Sequence, residues 1–257
     1  MLLLKHGIGK EYRMKLSYTE IFRYSDILNP VSQTTLLLAG KLAQLGPEKT
    51  ILDLGSGKGY PSLLWASVFG VHVIGFDVKR NYVSYANSRA TMLNLSSRVK
   101  YTCRDVKKLR LGKKYDVVAS LGLGVARVYG SYGDALKVLK NMLNKDGVLV
   151  FAEPVWLKRP VPPKVLSALG VSEDNFVTQP EMQELLREYG FKKLRDFTSL
   201  KEDWEIYVRP TYVALQEIIE RESRLENEAQ KVLNGFRTQY EIVGKHWNMV
   251  LWVARSQ

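Results

Sequence analysis

Cysteine is almost missing: Cys103 is the single example in 257 residues. A lone thiol forms no internal disulfide and no thiolate metal cage, and it excludes mechanisms that need two cysteines, so a reducing, cytoplasmic setting is the default expectation. Histidine is scarce as well, and His6, His72 and His246 have no metal-ligand spacing. No metal site is expected. No apolar run reaches the ~18 residues of a membrane span, and residues 2–4 are too few for a signal-peptide core. Neither export nor membrane association is expected. Internal repeats and Pro/Gly/Ser-rich linkers are absent, which leaves one domain over residues 1–257. Acidic residues are in deficit, 26 against 38 Lys and Arg, for a net charge of +12. That balance bears on solubility and non-specific association with polyanions, and an RNA partner needs a motif behind it.

What is present is an ordinary globular composition, 46% hydrophobic and 25% charged, enough to build a substantial core. Apolar runs bounded by turn residues at 50–54, 71–76, 99–103, 116–120 and 148–152 predict strands. Helix-length periodic segments at 61–69, 81–95 and 132–143 separate most of them. The alternation implies an α/β fold with a mostly parallel, doubly wound sheet covered on both faces. Beyond Pro180 the pattern predicts a helix over 181–189 closed by Gly190, a strand over 192–197, an amphipathic helix or kinked pair over 210–236, and a last strand over 247–254. Residues 15–45 read as a helical cap interrupted at Asn29-Pro30, because a residue before proline disfavours the helical region. Residues 1–13 have no clear period and are read as a poorly ordered extension.

The most informative segment is Ile51-Leu52-Asp53-Leu54-Gly55-Ser56-Gly57-Lys58-Gly59-Tyr60, a buried strand entering a glycine turn and then a helix. Glycines let a ligand lie against the main chain at a sheet edge. The third position of a G-x-G-x-x-G fingerprint is Tyr60 here, which points away from nicotinamide dinucleotides, and no G-K-[ST] follows, which excludes P-loop chemistry. Asp53 before the glycines would repel a pyrophosphate but can balance a cationic ligand. Asp77 ends the second strand about 20 residues on, the spacing of a ribose-binding acid, and equally the place of a helix N-cap. Asp105, in Arg104-Asp105-Val106 after the third strand, is either an acceptor for an exocyclic amine or part of a solvated turn.

Together D-x-G-x-G-x-G, Asp77 and Asp105 at three successive strand ends resemble the class I S-adenosylmethionine-dependent methyltransferases, over roughly residues 50–154. The resemblance implies a seven-stranded Rossmann-like sheet with its last strand antiparallel. It also implies S-adenosylmethionine as cofactor, contacted by Asp53, Gly55, Ser56, Gly57, Gly59, Asp77, Val78, Arg104, Asp105 and Val106. The tip of the fourth strand, Ser120-Leu121-Gly122, would pass beneath the ligand. Residues 1–46 then form the extension and cap, 47–200 the cofactor-binding core, 201–245 a helical insertion and 246–257 the last strand.

The acceptor is less defined. The strand tip lacks the [DNS]-P-P-[YFW] of methyltransferases acting on exocyclic base nitrogens, and Cys103, expected to be buried, is misplaced for cytosine C5 chemistry. Glu153, at the fifth strand's tip, is the candidate for orienting the acceptor or removing its proton, with a structural carboxylate as the alternative. Tyr18, Tyr24, Tyr129, Trp156, His246 and Trp247 are candidates for the substrate pocket or for core. The ending, from Trp204 to Arg255, resembles stand-alone small-molecule methyltransferases related to quinone-biosynthesis enzymes and implies a small or medium acceptor. The alternatives are an RNA or tRNA methyltransferase, suggested by the basic stretch over 98–114, a protein-modifying or aminopropyl transferase, and a non-catalytic S-adenosylmethionine-binding protein. The oligomeric state is not readable from the sequence.

Overall fold

The structure, a computed structural model, describes residues 16–257; the expected extension over 1–13 and His6 lie outside the described residues. Five strands, β1 (Thr50–Leu54), β2 (His72–Asp77), β3 (Val99–Cys103), β4 (Tyr115–Leu121) and β5 (Leu143–Trp156), run parallel. β6 (Phe191–Thr198) and β7 (Trp247–Ser256) complete one sheet in the order β3-β2-β1-β4-β5-β7-β6. β7 pairs antiparallel with both of its neighbours. The chain leaves β1 in one direction to β2 and β3 and returns on the other side to β4 and β5. The crevice at the carboxyl ends of β1 and β4 is therefore the switch point where open α/β sheets bind ligands.

Ten helices are described: α1 (Tyr18–Ile21), α2 (Gln33–Leu42), α3 (Tyr60–Phe69), α4 (Arg80–Met92), α5 (Val125–Tyr129), α6 (Tyr132–Asn141), α7 (Pro163–Leu169), α8 (Gln179–Glu188), α9 (Lys201–Arg221) and α10 (Glu226–Ile242). Strand alternation divides the core between the two sheet faces. Ile51, Val117 and Ala119 pack with α2, α3 and α4 on one face, while Leu52, Leu54 and Val118 pack with α6 and α8 on the other.

Three expectations are corrected. Within residues 16–45 only α1 and α2 are helical, and residues 22–32 form an irregular strap, whose early carbonyls are taken by a side chain described below instead of by a helix ladder. The long C-terminal helical stretch begins at Lys201, with the Asp203 carboxylate accepting the Leu200 N–H at 2.8 Å, so Pro210 lies inside α9. The break comes later, between Arg221 and Glu226. Cys103 is exposed, because it is the last residue of β3, an edge strand with a single neighbour.

Candidate functional site

The glycine turn is fastened to the sheet by its own backbone. The N–H groups of Gly55 and Ser56 both donate to the Phe76 carbonyl, at 2.8 and 3.0 Å. The Gly57 N–H donates to Asp77 Oδ2 at 2.9 Å, and Asp77 Oδ1 accepts the Lys79 N–H at 2.8 Å. Asp77 is thus no helix cap: α4 begins after Lys79, and the carboxylate reaches back to the turn. Burial raises its pKa, against the lowering effect of those backbone donors.

Gly57 has φ +55°, and a Cβ there would come within 2.8 Å of Leu28 Cδ1, so the strap lies directly on the turn. Gly59 faces the other way. At φ +79° its Cβ would strike the Tyr101 ring at 2.7 Å, so this glycine allows α3 to pack closely on β3, and it stands outside the cleft lining.

Asp53 is buried, with the Ser62 hydroxyl donating to Oδ2 at 2.7 Å and the Tyr101 oxygen 2.8 Å from Ser62 Oγ. Burial, with the charge of Asp77 adding to it, pushes its carboxyl up to about 7. Two carboxyls that resist ionisation side by side form a site in which a bound cation restores their charge.

Asp53, Gly55, Ser56, Gly57, Asp77, Leu121 and Gly122 line a single cleft, closed from above by residues 26–29 of the strap. Ser56 Oγ is buried without a hydrogen-bond partner among the described residues. Val78 stands exposed beside Asp77, and Arg104 joins this edge by donating its N–H to the Asp77 carbonyl at 2.9 Å. Asp105 caps a short 3-10 turn, Oδ1 accepting the Lys107 N–H at 2.9 Å, and Val106 is buried behind it. Ser120 is fully buried one residue below the β4 tip.

The acceptor-side candidates scatter. Glu153 lies outside the cleft lining: Oε1 accepts the N–H groups of Gly124 and Val125 at 3.0 and 3.1 Å, fixing the start of α5. Trp156 is core, its Nε1–H donating to the Glu173 carbonyl at 2.7 Å, and Trp247 is packed edge-on against Trp204 with ring centroids 5.0 Å apart. Both tryptophans are buried at the far end of the β5–β7 ladder, where they pair with each other, Trp156 packing on Phe176 and Trp247 on Trp204 of α9. His246 is half-buried ahead of β7 and takes part through its carbonyl, which accepts the Leu157 N–H at 2.9 Å. Tyr24 is exposed and donates to Glu217 at 2.6 Å. Tyr18 lies under the Lys79 ammonium, 3.4 Å from its ring centroid, and Tyr129 is half-buried with an unpartnered hydroxyl.

Residues 26–29 and Lys58 are functional candidates that pattern reading passed over. Asn29 Nδ2 donates to the Leu121 carbonyl at 3.2 Å and so joins the strap to the β4 tip. The available signal was a long basic side chain in the middle of a glycine turn. Among the described residues no group of three or more His, Cys, Asp or Glu side chains could hold a metal ion, and no helix is long and apolar enough to cross a membrane.

The YjhP protein of Escherichia coli (strain K12) is 27% identical over 195 residues, covering 76% of this chain and 78% of that protein. An S-adenosylmethionine-dependent methyltransferase of Geobacter sulfurreducens, solved with S-adenosyl-L-homocysteine, is similar in structure with a TM-score of 0.84 at 23% identity, over 93% of this chain and 97% of that one. The corresponding structure from Thiobacillus denitrificans, also with S-adenosyl-L-homocysteine, gives 0.83 at 22% identity, over 95% and 100%. The profile of the family described as "Methyltransferase domain" matches residues 45–230, and the chain belongs to that methyltransferase family.

Proposed function

We propose that the chain is an enzyme that transfers the methyl group of S-adenosylmethionine to a small or medium-sized acceptor. The observation that carries this reading is the convergence of Asp53, the Gly55-Ser56-Gly57 turn and Asp77 in one cleft at the sheet's switch point. The Ser56 hydroxyl, buried in the cleft lining, supports a ligand laid against the backbone there. Asp77 would hold the ribose hydroxyls and Asp53 would balance the cationic methionine end, and Val78 and Asp105, outside the cleft lining, would meet an adenine that extends past Asp77. The bound cofactor supplies a methyl group on a sulfonium.

The protein's own work is alignment. Well-oriented reactants gain effective molarities of ~10⁵ to 10⁸ M, so the reaction does not require Glu153 as a base. Enclosure favours a small acceptor, since the strap roofs the cleft and α9 lies against α1 and α10. Basic residues of the 98–114 stretch, Lys100, Arg104, Lys107, Lys108, Arg110, Lys113 and Lys114, are all exposed, as expected of a solvated face. Incubation of the protein with labelled S-adenosylmethionine and a fractionated cell extract tests the proposal. Label in the metabolite fraction is the expected result; label confined to RNA or protein would replace the acceptor class, and an absence of transfer despite cofactor binding would leave a binding protein.

A further inference from the structure

Lys58 sits in the middle of the glycine turn, where its backbone is part of the cleft, yet its side chain is buried and turned toward the strap. The ammonium donates to the carbonyls of Phe22 and Ser25 at 2.8 Å each and approaches that of Arg23 at 3.5 Å. Three carbonyls within four residues are gathered around one cation. Its outer wall is the Tyr85 ring, 4.9 Å from Nζ, and Asp26, which accepts from the Tyr85 hydroxyl at 2.6 Å and pairs with Arg89 at 2.8 Å.

The other fastenings of the strap differ in place or in strength. Asn29 and Pro30 secure its far end, through the Leu121 carbonyl and the Ser199 hydroxyl. At the near end, the buried Phe22 ring packs on Tyr207 and Phe236 and fixes the start of the strap, while beyond it the Arg23–Glu217 and Asp26–Arg89 ion pairs are about one-third exposed, and exposed pairs hold weakly. A buried cation giving charge-assisted bonds holds more strongly, because releasing the strap while the ammonium stays buried would leave its donors unpaired. The strap segment so fixed also supplies the cleft's roof and seats Leu28 on Gly57.

We propose that Lys58 is a positioning residue: its ammonium latches residues 22–26 across the glycine turn and thereby sets how long a cofactor stays in the cleft. The second half rests on the S-adenosylmethionine reading above, whereas the latch stands on the ligand-free geometry. Ligand entry and exit then require the strap to swing about its far anchor at residues 29–30, with Lys58 released on each opening.

The test compares the full chain with Lys58→Met, which keeps the stem and removes the donors, and Lys58→Arg, which keeps the charge. Hydrogen exchange without ligand should quicken at least fivefold over residues 22–28 in Lys58→Met, with β1 and β4 unchanged. Stopped-flow dissociation of S-adenosylhomocysteine should quicken at least fivefold while its association changes less than twofold, and Lys58→Arg should restore both to within threefold of the parent. Unchanged strap exchange, unchanged dissociation, or a Lys58→Met protein that fails to fold would each overturn the proposal, since a latch can be lost without losing the sheet. If the parent holds no S-adenosylhomocysteine, the cofactor reading falls and the residence-time claim with it, while the exchange measurement decides the latch by itself.

Discussion

Replacing Glu153 by glutamine is expected to stabilise the protein at alkaline pH and to leave cofactor binding intact. The carboxyl is 1% exposed, and burial pushes it up from 4.5 to about 7, against the lowering effect of the Val125 and Gly124 N–H groups. A carboxyl whose folded value is raised contributes stability that is full below about 4.5 and is lost as pH rises through about 7. The separation of the two values, at about 1.4 kcal/mol per unit, means that ionised Glu153 costs about 3 kcal/mol at pH 8. Glutamine offers the same acceptor oxygen to both N–H groups without the charge. The gain should therefore be about 3 kcal/mol at pH 8 and shrink to about 1 kcal/mol at pH 5, where the unfolded carboxyl alone is largely ionised. Urea unfolding of both proteins at unit steps from pH 5 to pH 8 measures this directly. A variant less stable than the parent at pH 8, or a difference independent of pH, would refute the assignment of Glu153 as a buried anchor for α5. Loss of methyl transfer by a well-folded variant would restore the catalytic reading.

Other outcomes follow from the cleft. Because Asp53 is held near pH 7 by burial and by Asp77, binding of S-adenosylmethionine at pH 7 should release about half a proton as that carboxyl ionises beside the ligand's ammonium. Calorimetry in buffers of different ionisation enthalpy should see it, and Asp53→Asn should abolish it. Asp77→Ala should weaken S-adenosylhomocysteine by ~1 to 3 kcal/mol, through lost ribose bonds and an unpaired Gly57 N–H; equal affinity would refute the ribose role. Gly57→Val places a branched side chain at φ +55° against Leu28 and should abolish binding with circular dichroism little changed, whereas global unfolding would mean the turn is needed for the fold itself. Total tRNA should bind weakly, with a log-log salt slope of about −0.7 per phosphate neutralised, and tight binding above ~0.2 M salt with methylated RNA would promote an RNA substrate.

The cofactor half of the site was legible because its chemistry is local. Asp53, the glycines and Asp77 lie within one β-α-β unit, so spacing alone places them at adjacent strand tips. Asp105 follows β3, outside that unit and outside the cleft lining, and the structure shows its carboxylate capping a turn. The acceptor half depends on contacts between distant segments, which carry no period. Nothing in the sequence near Phe22 announces that Lys58, 36 residues later, takes its carbonyl. Trp156 and Trp247 stay open between pocket and core in the sequence because aromatic side chains suit both, and the β5–β7 register and their burial decide for core. Pro210 misled for a different reason: local proline geometry predicts a helix boundary, and packing of Trp204, Tyr207 and Val208 into the core carries α9 through it.

The position of β7 between β5 and β6 has a consequence for synthesis on the ribosome. β6 ends at Thr198 and its one sheet neighbour, β7, begins at Trp247, so the time needed to translate the roughly 50 residues between them, several seconds at ~5 to 20 residues per second, passes with its edge unmatched. Lys192, Lys193, Arg195 and Asp196 lie on that waiting strand. They make the waiting strand a poor template for pairing with another nascent chain, so the same residues that look like an ordinary polar edge in the finished protein guard its least protected moment.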